Sequence, residues 1–175
     1  MSITISAEME TAFMAQALAE AAGAGAADEV PAGAVLVDGS GRIIGRGRNR
    51  VIALSDPTAH AEILAIREAA AAVGNYRLTG CLLFSTLEPC PMCLTAALYA
   101  RLSRVVYGAP EPRWGAAGSL LDLAGRPGLN HRLTISGGLL AAEAAELMTS
   151  FFRGKRKGSG LISAPENPGA AGHPE

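Results

Sequence analysis

The spacing of apolar positions changes character along this chain, and each change marks where one kind of element gives way to another. From Ser6 to about Gly23 the chain is alanine-rich, with Glu8 and Glu10 in the first turn, where acidic side chains complement the helix dipole. Gly23 and Gly25 are expected to stop this helix. Two β-rich runs follow, Ala34 to Val37 and Ile43 to Asn49, separated by Asp38-Gly39-Ser40-Gly41, so a hairpin is predicted. Thr58 offers an N-cap hydroxyl to a helix over Ala59 to Val73, where Ile63, Leu64, Ile66 and Ala70 supply an apolar stripe and Gly74 a stop.

Beyond it, Cys81 to Leu87 is continuously apolar enough to read as a strand buried on both faces, ended by Pro89. Cys90 to Leu102 reads as a helix with Pro91 just inside its start, a favoured place for proline. Val105 to Tyr107 is a strand, Gly108 to Gly118 a loop, Ser119 to Ala124 a short helix, Leu133 to Ser136 a last strand and Leu139 to Phe152 a last helix. Strands alternating with helices from mid-chain onward need crossover connections. The predicted fold class is therefore α/β, a three-layer α/β/α sandwich around a mixed, mostly parallel sheet of five strands. Residues 158–175 are rich in Gly, Pro, Ala and Ser without periodicity and are expected to be a disordered tail behind a single domain over 1–157.

Composition adds exclusions. With 175 residues the chain is long enough for one ordinary core, so metal is not needed simply to hold it together. A net charge of −1 excludes a protein that coats nucleic acid through its overall field, and any such contact must be local. Met1-Ser2-Ile3-Thr4 carries no basic segment and every apolar run is interrupted well short of about 20 residues, so the expected location is cytoplasmic. Three cysteines, two of them paired as Cys90-Pro91-Met92-Cys93, suit metal or redox chemistry better than a disulfide framework.

The chemistry concentrates at two predicted helix starts, Thr58-Ala59-His60-Ala61-Glu62 and Pro89-Cys90-Pro91-Met92-Cys93, with a buried strand between them. Cys90 and Cys93 are three apart, so on one turn their sulfurs share a face, and the positive helix end favours thiolate. His60 completes a Cys2His set, which leaves one tetrahedral position of a zinc ion open for water, the pattern of a catalytic centre rather than a structural one. Glu62, two residues from His60, is poorly placed to bind the same ion and is read as the general acid/base. These residues would equip a hydrolase, with one Zn2+ per chain acidifying water beside a proton carrier.

His60-Ala61-Glu62 together with Pro89-Cys90-Pro91-Met92-Cys93 resembles the signature by which the zinc base deaminases are known. The likeness extends through Val30-Pro31-Ala32-Gly33-Ala34-Val35, Asn49-Arg50, Asn75-Tyr76-Arg77-Leu78, Gly115-Ala116-Ala117-Gly118-Ser119-Leu120, Leu129-Asn130-His131-Arg132 and Phe151-Phe152-Arg153, all similar to the bacterial tRNA-specific adenosine deaminase family. It runs from the first helix to about Arg156. The resemblance implies a cytidine-deaminase-like fold, a cytoplasmic homodimer, and conversion of wobble adenosine to inosine in a tRNA anticodon stem-loop. It carries over Asn49 as a contact to the flipped adenosine, the Ala61 amide as a contact near the attacking oxygen, Glu111 as a sugar contact, and Asn130, Phe152 and Arg153 as anticodon-loop contacts. Two departures stand out. Glu111 sits between Pro110 and Pro112 and is followed by Arg113-Trp114, where the family usually has an acidic residue followed by lysine or similar, and Arg48 stands where an aromatic residue is common beside Asn49.

Other readings compete for the same residues. A free-base deaminase acting on guanine or cytosine would need the same zinc site, and an inactive zinc-binding partner subunit would typically lack Glu62. The Phe151-Phe152-Arg153 end and the Asn130-His131-Arg132 loop favour RNA over a free base. Arg46, Arg48 and Arg50 alternate along one strand face, either a solvated edge or an RNA contact. Arg153, Lys155, Arg156 and Lys157 either complement a helix dipole or meet phosphates. Cys81 reads as a small buried hydrophobe, and His131 as a polar loop residue or RNA contact.

Overall fold

The computed structural model describes residues 5–158, with side chains described to Arg156. The predicted tail therefore lies, from Ser159 onward, outside the described residues. In chain order the elements are α1 (Ala7–Ala26), β1 (Gly33–Val37), β2 (Ile43–Arg48), α2 (Val51–Leu54), α3 (Ala61–Val73), β3 (Leu82–Leu87), α4 (Pro91–Tyr99), β4 (Arg104–Ala109), β5 (Thr134–Gly137) and α5 (Ala141–Gly158).

The sheet has the order β2-β1-β3-β4-β5. β1 pairs antiparallel with β2 and with β3, whereas β3–β4 and β4–β5 are parallel. The sheet is mixed as expected, but its parallel share is half of the pairings, not most of them, because β1 is reached by a hairpin on one side and runs against β3 on the other. Asp38 secures that hairpin: its Oδ1 accepts from Ser40 N, Ser40 Oγ and Arg42 N at 2.9, 2.6 and 3.1 Å.

Every residue of β1 is buried, and its side chains alternate between two cores. Ala34 and Leu36 point with Leu83 and Val105 toward Ala61, Ala65 and Ala69 of α3 and Leu94 and Ala97 of α4. Val35 and Val37 point with Phe84 and Val106 toward Phe13, Met14 and Ala17 of α1. The Phe13 and Phe84 rings meet at 5.3 Å. α5 packs on β4 and α1 on that second face, completing the three layers.

Small residues allow these layers to approach closely. A Cβ on Gly47 of β2 would collide with the Ala61 carbonyl oxygen, and one on Gly45 with that of Ala65, so the first turns of α3 rest directly on strand backbone. We expect Gly47→Ala to cost about 1–3 kcal/mol by overpacking, read from the urea unfolding midpoint, and to disturb the start of α3 where His60 sits. An unchanged midpoint would show that the helix can retreat freely.

Several boundaries depart from expectation. α1 runs through Gly23 and Gly25 to Ala26, because burial of Ala21 and Ala24 outweighs a helical glycine cost of about 1 kcal/mol each. Thr58 is not the cap of α3: its N–H and hydroxyl both donate to Asp56 Oδ1, at 2.8 and 2.7 Å, and His60 takes the N-cap position. α4 stops at Tyr99, and α5 continues to Gly158. The helix expected over Ser119–Ala124 does not form. Gly118 turns at φ +135°, and Ser119 N is drawn to Glu88 Oε1 at 3.0 Å, so the segment folds around a distant carboxylate.

Candidate active site

Two helix starts converge at the end of β3. His60 and Cys90 are the N-cap residues of α3 and α4, both with extended backbone, and their carbonyls accept the first helical bonds from Leu64 N at 3.1 Å and Leu94 N at 2.9 Å. Pro91 occupies the first helical position, where no N–H is required. Cys93 lies three residues on, within the first turn. Because His60 stands just outside its helix and Glu62 just inside, both reach one cleft; the two-residue spacing that would separate them on a continuous helix is undone by the cap.

The donor set fits zinc. His60 Nδ1 lies 3.7 Å from Cys90 Sγ and 3.6 Å from Cys93 Sγ, and the three ligand atoms lie within 4.8 Å of one another. A tetrahedral ion with Zn–S of about 2.3 Å and Zn–N of about 2.0–2.1 Å requires N···S separations of about 3.6 Å. The protein thus holds the nitrogen and sulfurs at the spacing the ion needs. The two thiols are unequal. A hydrogen bond from Cys93 chiefly draws Cys90 down to about 4, and the same bond together with burial pushes Cys93 up. The hydrogen bond with Cys90 raises His60.

Glu62 is 6% exposed, and burial raises its carboxyl above the ordinary range. Ser85 Oγ donates to its Oε1 at 3.2 Å, and Cys93 Sγ contacts its Oε2 at 3.5 Å. One oxygen is therefore anchored to β3 while the other faces the ligand cluster. Glu62 thus stands beside the group of three possible ligands, His60, Cys90 and Cys93, and not within it.

The adjoining cleft has a volume of ≈ 1200 Å³ and is lined by His60, Glu62 and Cys90 together with Trp114 and with Phe152 and Arg156 of α5. Asn49 and Glu111 line it; Ala61 does not, its side chain being buried in the core, but as the first residue of α3 between His60 and Glu62 it has a backbone N–H with no intrahelical partner. Asn130 and Arg153 do not line it. The Asn130 carbonyl accepts from Arg101 Nη1 at 2.9 Å, and on α5 Met148, Thr149, Phe152 and Arg156 face the cleft while Arg153 points elsewhere. Lys155 is held by Asp28 at 2.6 Å.

Further residues resolve toward structure. Arg48 pairs with Glu20 of α1 at 3.0 Å and Arg46 donates to Gln16 at 3.1 Å, so these two lie over α1, whereas Arg50 does not continue the row: β2 ends at Arg48 and Arg50 is the N-cap residue of α2. His131 Nε2 meets the Leu102 carbonyl at 2.6 Å, and Cys81 is buried.

Three residues escape a reading of the linear pattern: Glu29 and Glu88, which line the cleft, and Ser85, which bonds to Glu62 beneath it. Glu88, 3% exposed, accepts from Glu111 N at 3.1 Å, Ala117 N at 2.9 Å and both donors of Ser119, tying down the loop that carries Trp114. A polar Ser85-Thr86 inside an otherwise apolar strand is the signal that could have found Ser85. Glu29 had none.

Residues 7–109 match the family model for the cytidine and deoxycytidylate deaminase zinc-binding region. A tRNA-specific adenosine deaminase of Agrobacterium fabrum is 49% identical over 146 residues, covering 83% of this chain and 95% of that protein. Among solved structures, one from a study of A-to-I editing by tRNA:A34 deaminases at the wobble position superposes with a TM-score of 0.76 at 48% identity, covering 78% of this chain and 99% of the other. Guanine deaminase from Nitrosomonas europaea superposes at 0.71 with 28% identity, covering 81% and 83%. The chain belongs to the tRNA-specific adenosine deaminases, within the zinc-binding cytidine and deoxycytidylate deaminase family.

Proposed function

We propose that this protein hydrolyses adenosine to inosine at the wobble position of a tRNA anticodon loop, using one zinc ion held by His60, Cys90 and Cys93. The observation that carries the reading is the form of the cleft. Its floor holds a buried proton carrier beside a three-ligand zinc site, and its mouth offers aromatic faces, Trp114 at 66% and Phe152 at 42% exposure, with Arg156 beside them. A volume of ≈ 1200 Å³ exceeds the roughly 300–1,000 Å³ typical of small-ligand pockets. Unpaired loop bases are read by stacking on aromatic and arginine planes with the target base turned into a pocket.

Zinc at this site supplies acidification of water, from a pKa of about 15.7 toward about 7. Glu62 takes a proton from the attacking water and delivers it to the ring nitrogen beside the amino-bearing carbon. A carbon–oxygen bond forms at that carbon, Glu62 then takes the proton of the new hydroxyl and passes it to the amino group, and the carbon–nitrogen bond breaks as ammonia leaves and the carbonyl forms. Ser85 holds the Glu62 carboxylate in register through the cycle. Asn49 orients the nucleoside, the Ala61 N–H donates near the attacking oxygen, and Glu111 meets the sugar. Phe152 stacks on loop bases. For the remaining anticodon-loop contacts Arg156 is better placed than Arg153 or Asn130.

We further propose that the enzyme works as a cytoplasmic homodimer whose catalytic domain spans 1–157. Exposed apolar side chains, among them Ile52, Leu54, Leu120 and Leu121, provide surface that a second copy would cover. No helix among the described residues is long and apolar enough to cross a membrane. The deciding assay offers purified protein an anticodon stem-loop with adenosine at the wobble position, alongside free guanine, cytosine and adenosine. Inosine formed in the RNA alone is the expected result. Ammonia released from a free base alone would make this a free-base deaminase.

A further inference from the structure

Outside the zinc site, two buried polar side chains that line the cleft are bonded to each other. Glu29 is 2% exposed and Asn49 8%, and both line the cavity. Glu29 Oε2 accepts from Asn49 Nδ2 at 3.2 Å and from Ile52 N at 3.3 Å, and Oε1 accepts from Ala53 N at 2.8 Å. Ile52 and Ala53 open the short helix α2, whose first N–H groups lack intrahelical partners. One carboxylate thus satisfies three donors drawn from two segments.

The polarity of this arrangement decides what Asn49 offers to a substrate. A carboxylate only accepts, whereas the two ends of an amide differ, one donating and one accepting. Rotating the Asn49 amide by half a turn would set its carbonyl oxygen against Glu29, two acceptors in a buried setting with no proton between them. Glu29 therefore locks the NH2 end toward itself. Asn49 Oδ1 forms no hydrogen bond among the described residues, yet no buried side-chain polar atom there lacks a partner, so Oδ1 opens onto the cleft.

We propose that Glu29 is a positioning residue: by fixing the Asn49 amide it makes Asn49 an obligatory hydrogen-bond acceptor, so that this wall selects a nucleoside presenting an O–H or N–H donor at that point. The same contacts hold the start of α2, so the acceptor and the Ile52 side chain beside it are placed together. This inference rests on the proposed nucleoside deamination.

The test exchanges the polarity of the pair. In Glu29→Gln the side-chain amide donates toward residue 49 and gives up the 3.3 Å contact from Ile52 N, a loss common to every Glu29→Gln variant; Asn49 turns its carbonyl inward, and the cleft meets an NH2 group instead. We expect kcat/KM on the wobble-adenosine stem-loop to fall on the order of 10- to 100-fold, the effect of an unmade hydrogen bond in a closed site, with zinc content unchanged. Asn49→Asp alone sets two carboxylates face to face and should also lose activity. The double variant Glu29→Gln/Asn49→Asp restores one donor between the residues and one acceptor toward the cleft, and should recover at least about tenfold over either single change. In an Asn49→Ala background, Glu29→Gln should alter kcat/KM by less than about twofold, which a purely structural role of Glu29 would not produce. Wild-type kcat/KM in Glu29→Gln, no recovery in the double variant, or a full loss persisting beside Asn49→Ala would each overturn the proposal. Wild-type protein on the same RNA is the control: silence there defeats the tRNA reading, and the variant ratios are then taken on whichever free base the wild type converts.

Discussion

Glu62→Gln should reduce deamination by about 10²- to 10⁴-fold while leaving zinc at one ion per chain. The two expectations separate because Glu62 lies beside the ligand cluster without belonging to it: one oxygen is engaged by Ser85, and the other is 3.5 Å from Cys93 Sγ. Glutamine keeps the shape and loses the exchangeable proton. Burial raises the Glu62 carboxyl, so its ionisation works against the fold as pH rises through that raised value, while the stability it provides is complete below the unfolded carboxylate pKa. At neutral pH the neutral amide should therefore melt no lower than wild type. Metal analysis, single-turnover ammonia release and a thermal melt check all three. A variant that loses zinc in step with activity would make Glu62 a ligand.

Cys93→Ala should lose both zinc and activity. Outer-shell partners of metal ligands already cost about 10- to 100-fold when removed, so deletion of a ligand should exceed about 100-fold in turnover. Cys93 is fully buried in the first turn of α4, with its sulfur 3.6 Å from His60 Nδ1. Cys81→Ala provides the contrast. That thiol is buried outside the ligand cluster, and its loss should leave zinc stoichiometry and rate unchanged. Zinc content by mass spectrometry beside kcat on the stem-loop distinguishes the two cysteines. Retention of a full equivalent of zinc by Cys93→Ala would show that the remaining donors suffice.

The zinc-binding set His60, Cys90 and Cys93 was legible in the sequence because the spacing within each helix start is a local matter. A proline after Cys90 and a turn of helix between the cysteines predict where two sulfurs point, and these rules act over three or four residues. The hairpin was legible for the same reason, since Asp38 accepts from donors within four residues of itself. The start of α3 shows the limit. Thr58 has the chemistry of a cap, but Asp56 competes for its hydroxyl and its N–H, and His60 becomes the cap instead. The identity of the ligand survived that error, and the stated reason for its separation from Glu62 did not.

The walls of the cleft belong to longer distances. Ser85 reaches Glu62 across 23 residues, Glu29 reaches Asn49 across 20, and Glu88 reaches Ser119 across 31. A buried carboxylate must find donors wherever the packed layers bring them, and a linear pattern of polar and apolar positions carries no record of which donors those are. The same holds on α5, where helical spacing groups Phe152 with Arg156 but leaves open which face of the helix meets the cleft; packing of α5 against β4 and α1 turns Arg156 inward and Arg153 away. The reacting centre was thus written in short-range backbone geometry, while the substrate-facing surface arose only when the three layers closed and buried acceptors chose their partners.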